Sequence, residues 1–153
     1  MAELGEYAVA RMALEIVAES RCSFLVRTNA IIELMEIESA ASNRLSFERR
    51  RAAAQSVRDR MPPSMSVDFL FKLGVGMARF GQIARARDAL SGGLALAEAH
   101  RLNTWYFRFE RVLQNLVECE IREPELSTSG RPVPASAVQE MEVGLREYAS
   151  TAG

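Results

Sequence analysis

The chain has 153 residues, a formal net charge of −1 and 25% charged side chains, which suits one domain with a core that needs no staples. The near-neutral balance removes any bulk attraction to nucleic acid or anionic lipid, and the ordinary charge content argues against wholesale disorder. No apolar run approaches the ~20 residues needed to span a bilayer, and Glu3 and Glu6 stand where a signal peptide would be basic, so a soluble, cytoplasmic protein is expected.

The first helix is expected over about Glu3–Ser20, with Ala10, Ala13, Leu14 and Val17 as its apolar stripe. After a break at Arg21-Cys22-Ser23, the second buries Leu25, Thr28, Ile31, Ile32 and Met35, then fades at Ala40-Ala41-Ser42-Asn43, where small polar residues favour turns. Ser46 is the expected N-cap of a third helix, with Phe47, Ala54, Val57 and Met61 as its stripe and Pro62-Pro63 as its end. Ser64 or Ser66 then caps a fourth helix over about Val67–Phe80; a fifth runs over about Ile83–His100 and a sixth over about Thr104–Ile121. In the sixth, Trp105, Phe109, Val112 and Leu116 step by four, three and four residues.

Proline, serine and glycine enrichment over Pro124–Pro134 reads as a linker. Ser136 with Gln139 forms a capping box for a last helix whose stripe is Val138, Met141, Leu145 and Tyr148. The expected organisation is a helical domain over 1–122, a linker over 123–135 and an amphipathic helix over 136–149, which caps the domain or exchanges between subunits. No strand pattern or hairpin turn occurs. Cys22 and Cys119 share no metal-type spacing and read as free buried thiols of a reducing compartment.

The clearest pattern is Val67–His100. Leu70, the pair Leu73-Gly74 and Met77 lie on one helix, Gly81 at the turn, and Ala86, Leu90, Gly93 and Ala97 on the next. Small residues let two antiparallel helices approach closely while large ones fill the groove between them. This stretch resembles a tetratricopeptide repeat, with Glu98 where that family usually ends its repeat in proline. Sliding the first-helix pattern forward by about 39 residues lands on Phe109, Val112, Leu113 and Leu116; sliding it back by about 42 lands on Thr28, Ile31, Ile32 and Met35. The resemblance implies an all-α, short right-handed α-solenoid of antiparallel helix pairs, about six helices plus a C-terminal one. Helices two, four and six would then be the first helices of successive units.

In that family, first helices line a concave binding face. Carried over by position, the face would show Asp68, Phe71, Val75 and Arg79 on helix four. Helix two would add Val26, Asn29, Glu33 and Glu36, and helix six Phe107, Glu110, Gln114 and Glu118. The implied groove is mixed and leans acidic. It suits a protein or peptide carrying positive charge, anchored by an apolar side chain near Phe71 and Phe107.

A second candidate surface is basic. Arg44, Arg49, Arg50, Arg51, Arg58 and Arg60 cluster on or beside helix three, opposed only by Glu48 and Asp59. As function this is a phosphate or nucleic-acid contact; as structure it is a solvated face, which is favoured because three consecutive helical residues point in three directions. Catalytic and metal chemistry have little material. Glu33 and Glu36 sit one turn apart without the Glu-x-x-His pair of a di-iron bundle, His100 is the only histidine, and the glycines lack the Lys-Ser/Thr of a phosphate loop. No catalytic residue, metal or cofactor is therefore expected. The reading is a non-enzymatic adaptor that binds protein or peptide, analogous to sensor parts of bacterial regulators. The alternatives are a nucleic-acid-associated module acting through the arginines, or a structural homo-oligomer joined by the last helix.

Overall fold

The computed structural model describes the backbone of residues 2–128 and the side chains of 5–118. The chain divides into two compact units, Met1–Leu116 and Val117–Gly153, and the packing below lies within the first. Six helices follow in order: α1 Ala2–Glu19, α2 Phe24–Ala40, α3 Arg44–Gln55, α4 Pro63–Arg79, α5 Ile83–Ala99 and α6 Asn103–Thr128, with a 3₁₀ turn at Arg58–Arg60. The fold is all-α, with no strand among the described residues. α1 packs on α2, α2 on α3 and on α4, α3 on α4 and α4 on α5. The rings of Trp105 and Phe109 bring α6 onto Phe71 of α4. No helix among the described residues is long and apolar enough to cross a membrane.

Three helix ends close in the same way. Asn43 N–H donates to Glu38 O at 2.9 Å, Gln82 N–H to Met77 O at 2.9 Å and Leu102 N–H to Ala97 O at 2.8 Å. Each closure needs a left-handed residue just before the donor, filled by Ser42 (φ 58°), Gly81 (φ 75°) and Arg101 (φ 55°). Only the middle one is glycine, so the turn after α2 was legible only as a cluster of small polar residues. The first two closures lie 39 positions apart (82 minus 43), as do the starts of α2 and α4 (63 minus 24).

That spacing corrects the backward slide of about 42 residues. The residues matching Leu70, Leu73, Gly74 and Met77 are Ile31, Leu34, Met35 and Glu38 rather than Thr28, Ile31, Ile32 and Met35. The apolar run Ala30–Met35 offered several registers, and only the turn fixes which is used. Glu38 thus stands at a core position held by Met77 in α4 and by Leu116 in α6, and it is fully buried.

Other boundaries moved for local reasons. Asn43, not Ser46, caps α3: its Oδ1 accepts from Ser46 N–H at 3.3 Å, so the helix starts at Arg44. It ends at Gln55, and Val57 and Met61 reach the core from the turn that follows. Pro63 is the first residue of α4, where its missing N–H costs nothing, so neither Ser64 nor Ser66 caps it. α6 continues through Pro124 to Thr128. A proline inside a helix forfeits a hydrogen bond and disfavours helical angles at the residue before it, but α6 runs on through it, so the expected linker starts as helix. The helix expected over 136–149 and the rest of the linker lie outside the described residues.

The core is built by close approaches at glycine. A Cβ on Gly74 would lie 2.4 Å from Leu90 Cγ, and one on Gly93 would lie 2.3 Å from Phe109 Cε1 and Cζ. Gly74 therefore sets the α4–α5 distance and Gly93 the α5–α6 distance. Phe47, Phe69 and Phe109 are fully buried, each contributing about 1.5–3 kcal/mol by the area it removes from water. α1 lies apart from this core. Ala10 and Ala13 of its expected stripe are exposed, and only Leu14 and Val17 are half-buried.

Candidate functional site

On α2 the uncovered residues Val26, Asn29, Glu36 and Ala40, with half-buried Glu33, recur at steps of three and four and form one face. On α4 the matching positions 39 residues on are Met65, Asp68, Lys72, Val75 and Arg79, all half-buried or exposed. On α6 they continue as Thr104, Phe107, Arg111 and Gln114, all exposed. The other faces of α2 and α4 are packed: Thr28, Ile32, Met35 and Ser39 are buried on α2, and Val67, Leu70, Leu73 and Gly74 on α4. The corrected register keeps Asn29, Glu33 and Glu36 on this face, because a shift of three residues turns a helix by only about 60°.

At its centre Lys72, the only lysine in the chain, reaches from α4 to α2. Its Nζ donates to Glu33 Oε1 and, at 3.2 Å, to Asp68 Oδ2, and lies 3.7 Å from Glu36 Oε2. Three carboxylates face one ammonium, a formal −2. Burial raises the Asp68 carboxyl above its ordinary value, outweighing the attraction of Lys72, and Glu33 and Glu36 push the same way. Burial alone would lower the Lys72 ammonium, but its hydrogen bond to Glu33 and its pairing with Asp68 overcome this and raise it. One turn further along, Arg79 Nη1 donates to Ser39 Oγ at 2.7 Å, a second tie between the two helices.

The apolar end of the face lies toward the helix N-termini. Leu25 and Val26 are 48% and 50% exposed and Phe107 is 66% exposed. Leu25 was expected in the core. It lies one turn before Asn29 on the open side of α2, a position that hydrophobicity alone does not distinguish from a buried one.

Several expected site residues are placed differently. Phe71 is no free anchor: its ring meets Trp105 at 5.7 Å and Phe109 at 5.4 Å, both edge-on, and it packs against the core. α4 is flanked by α2, α5 and α6, so its buried arc is wider than an isolated pair of helices would need. Glu110 lies 39 positions after Phe71. It accepts a hydrogen bond from Tyr106, which raises the phenol above its usual value. Arg111, which matches Lys72, and Lys72 itself were the residues the sequence did not single out. Lys72 reads as a lone solvated charge until the 39-residue register sets Glu33 opposite it.

The arginines do not form one surface. Arg50 Nη2 pairs with Glu15 Oε1 at 3.4 Å and Arg51 Nε donates to Glu48 Oε2 at 2.7 Å. Arg60 stacks 4.0 Å over the Phe24 ring, Arg58 is half-buried on the 3₁₀ turn, and Arg44 and Arg49 are exposed. Cys22, half-buried, donates its thiol to Val17 O at 3.3 Å, tying down the end of α1; the side chain of Cys119 lies outside the described residues. No protein-family model matches the chain, and no curated protein or solved structure matches it.

Proposed function

We propose that the chain is a non-enzymatic binding module, a short tetratricopeptide-like helical repeat that docks a protein or peptide segment on the face shared by α2 and α4. The observation that carries this reading is the uncovered face itself. It repeats at 39 residues from α2 to α4, and it runs from apolar at Leu25, Val26 and Phe107 to acidic at Glu33, Glu36 and Asp68. The close approaches at Gly74 and Gly93 support a solenoid of antiparallel pairs, since glycine there lets successive helices stack closely. An apolar stretch beside a net negative cluster favours a segment with an apolar anchor and a basic side chain. The pairing of Arg50 and Arg51 with Glu15 and Glu48 counts against nucleic acid as the ligand.

The test is selection from a displayed random 12-residue peptide library against the full chain. Recovered peptides should carry basic and large apolar residues and should lose at least about tenfold in affinity, roughly 1.4 kcal/mol, against the double variant Val26→Asp, Glu36→Lys. Both positions are about half exposed, so the melting temperature should hold. A selection that yields nothing, or peptides that bind the variant equally, would reject the reading.

A further inference from the structure

Glu38 is a carboxylate at an apolar position of the fold. It is fully buried where the matching positions of α4 and α6 hold Met77 and Leu116. Arg11 Nη2, from α1, comes within 3.1 Å of its Oε1. The N–H bonds are not directed at that oxygen, and neither carboxylate oxygen accepts a hydrogen bond. Arg11 also serves Glu15, to which its Nε donates at 3.3 Å. Glu15 in turn pairs with Arg50 of α3, whose Nε is buried without an acceptor. Three helices thus meet around a buried carboxylate whose oxygens accept no hydrogen bond and a guanidinium nitrogen without an acceptor, polar atoms that burial penalises.

α1 packs on α2, but none of its described residues belongs to the buried core. Its larger apolar side chains Val9, Met12 and Ile16 are 69%, 63% and 64% exposed, and its inward contacts are made by half-buried Leu14, Val17 and Ala18. Undocking α1 would return Glu38, Arg11 and Arg50 to water and uncover Leu34, one turn before Glu38 on α2, while the core cluster, to which no described α1 residue belongs, kept its neighbours.

We infer that α1 is a releasable cap, latched to α2 through Arg11 and the buried Glu38, and that the protein opens there by a local step well short of unfolding. In the open state α2 exposes a carboxylate-bearing outer surface and α1 presents apolar residues on both sides. Any partner that grips the Val9–Met12–Ile16 stripe and binds the open state better shifts the population toward it. This device is separate from the α2–α4 face: Glu38 is buried and meets Arg11 of α1, whereas Glu33 and Glu36 face Lys72 of α4.

Native-state hydrogen exchange on the full chain tests it. Backbone amides of Leu14, Val17 and Ala18 should exchange at least about tenfold faster than those of Phe69–Met77. Glu38→Met, which installs the residue found 39 positions later, should slow the α1 amides by at least about tenfold. Glu38→Gln, which keeps the shape and removes the charge, should slow them by less. Arg11→Met should speed them while leaving the α4 amides nearly unchanged. Exchange of α1 at the α4 rate would overturn the inference. So would unchanged or faster α1 exchange in Glu38→Met, or loss of the folded state in both Glu38 variants.

Discussion

Gly92 and Gly93 are neighbours on α5, and alanine at each should have opposite effects. A Cβ on Gly92 meets nothing within 4 Å, so Gly92→Ala gains only helix propensity and should stabilise by about 0.5–1 kcal/mol. A Cβ on Gly93 would fall 2.3 Å from Phe109 Cε1 and Cζ. Phe109 cannot swing aside: it is fully buried, 5.4 Å from the Phe71 ring and 6.3 Å from that of Trp105. Forcing a methyl into such packing costs about 1–3 kcal/mol, from which about 1 kcal/mol of helix propensity is recovered. The two variants should therefore differ by about 2 kcal/mol, or about 1 M in urea midpoint for a domain of this size. Urea titrations followed by far-ultraviolet circular dichroism and by Trp105 fluorescence measure it. If both alanines stabilise equally, α6 does not rest on α5 at Gly93, and the helix-on-helix stacking falls with it.

Phe71→Ala should cost about 2–3 kcal/mol in thermal or urea unfolding, because Phe71 locks α6 to α4 rather than anchoring a ligand; a neutral result would return Phe71 to the open face. Stability owed to Lys72 is present below its unfolded value of 10.5 and lost as pH rises through its raised folded value. The stability difference between wild type and Lys72→Met should accordingly shrink above pH 10.5 in urea titrations. Asp68 holds its proton more tightly when folded, so its ionisation opposes folding. The stability of wild type relative to Asp68→Asn should rise as pH falls toward 3.8, and a fall instead would mean Lys72 outweighs burial there. Ser42→Gly should raise stability by up to about 1 kcal/mol by relieving the left-handed turn, read as a shift in melting temperature.

The helices were legible because their stripes and turns agree: Gly81 and the spacing of Leu70, Gly74 and Met77 marked α5, the end of α4 and the turn between them, though not the start of α4 at Pro63. What was hidden depended on how many sides of a helix are covered. α2 contacts α1, α3 and α4, so Ala30 and Leu34 are buried outside any single stripe, and the run of apolar residues could be read in more than one register. The same breadth disguised Phe71, which sits at the edge of a wide buried arc. Asn29, Glu33, Glu36, Asp68, Val75 and Arg79 nevertheless lie together on the uncovered side of α2 and α4. Lys72 and Glu38 were not legible. The first is defined by carboxylates 39 and 36 positions back in the chain, and the second breaks the rule that core positions are apolar.

The most direct test of the binding account is an amide NMR titration of the full chain with a peptide recovered by the library selection. The account predicts shifts concentrated at Leu25–Glu36 and Asp68–Val75, lost in the Val26→Asp, Glu36→Lys variant. Shifts confined to α1 and α3, or spread evenly over the chain, would contradict it.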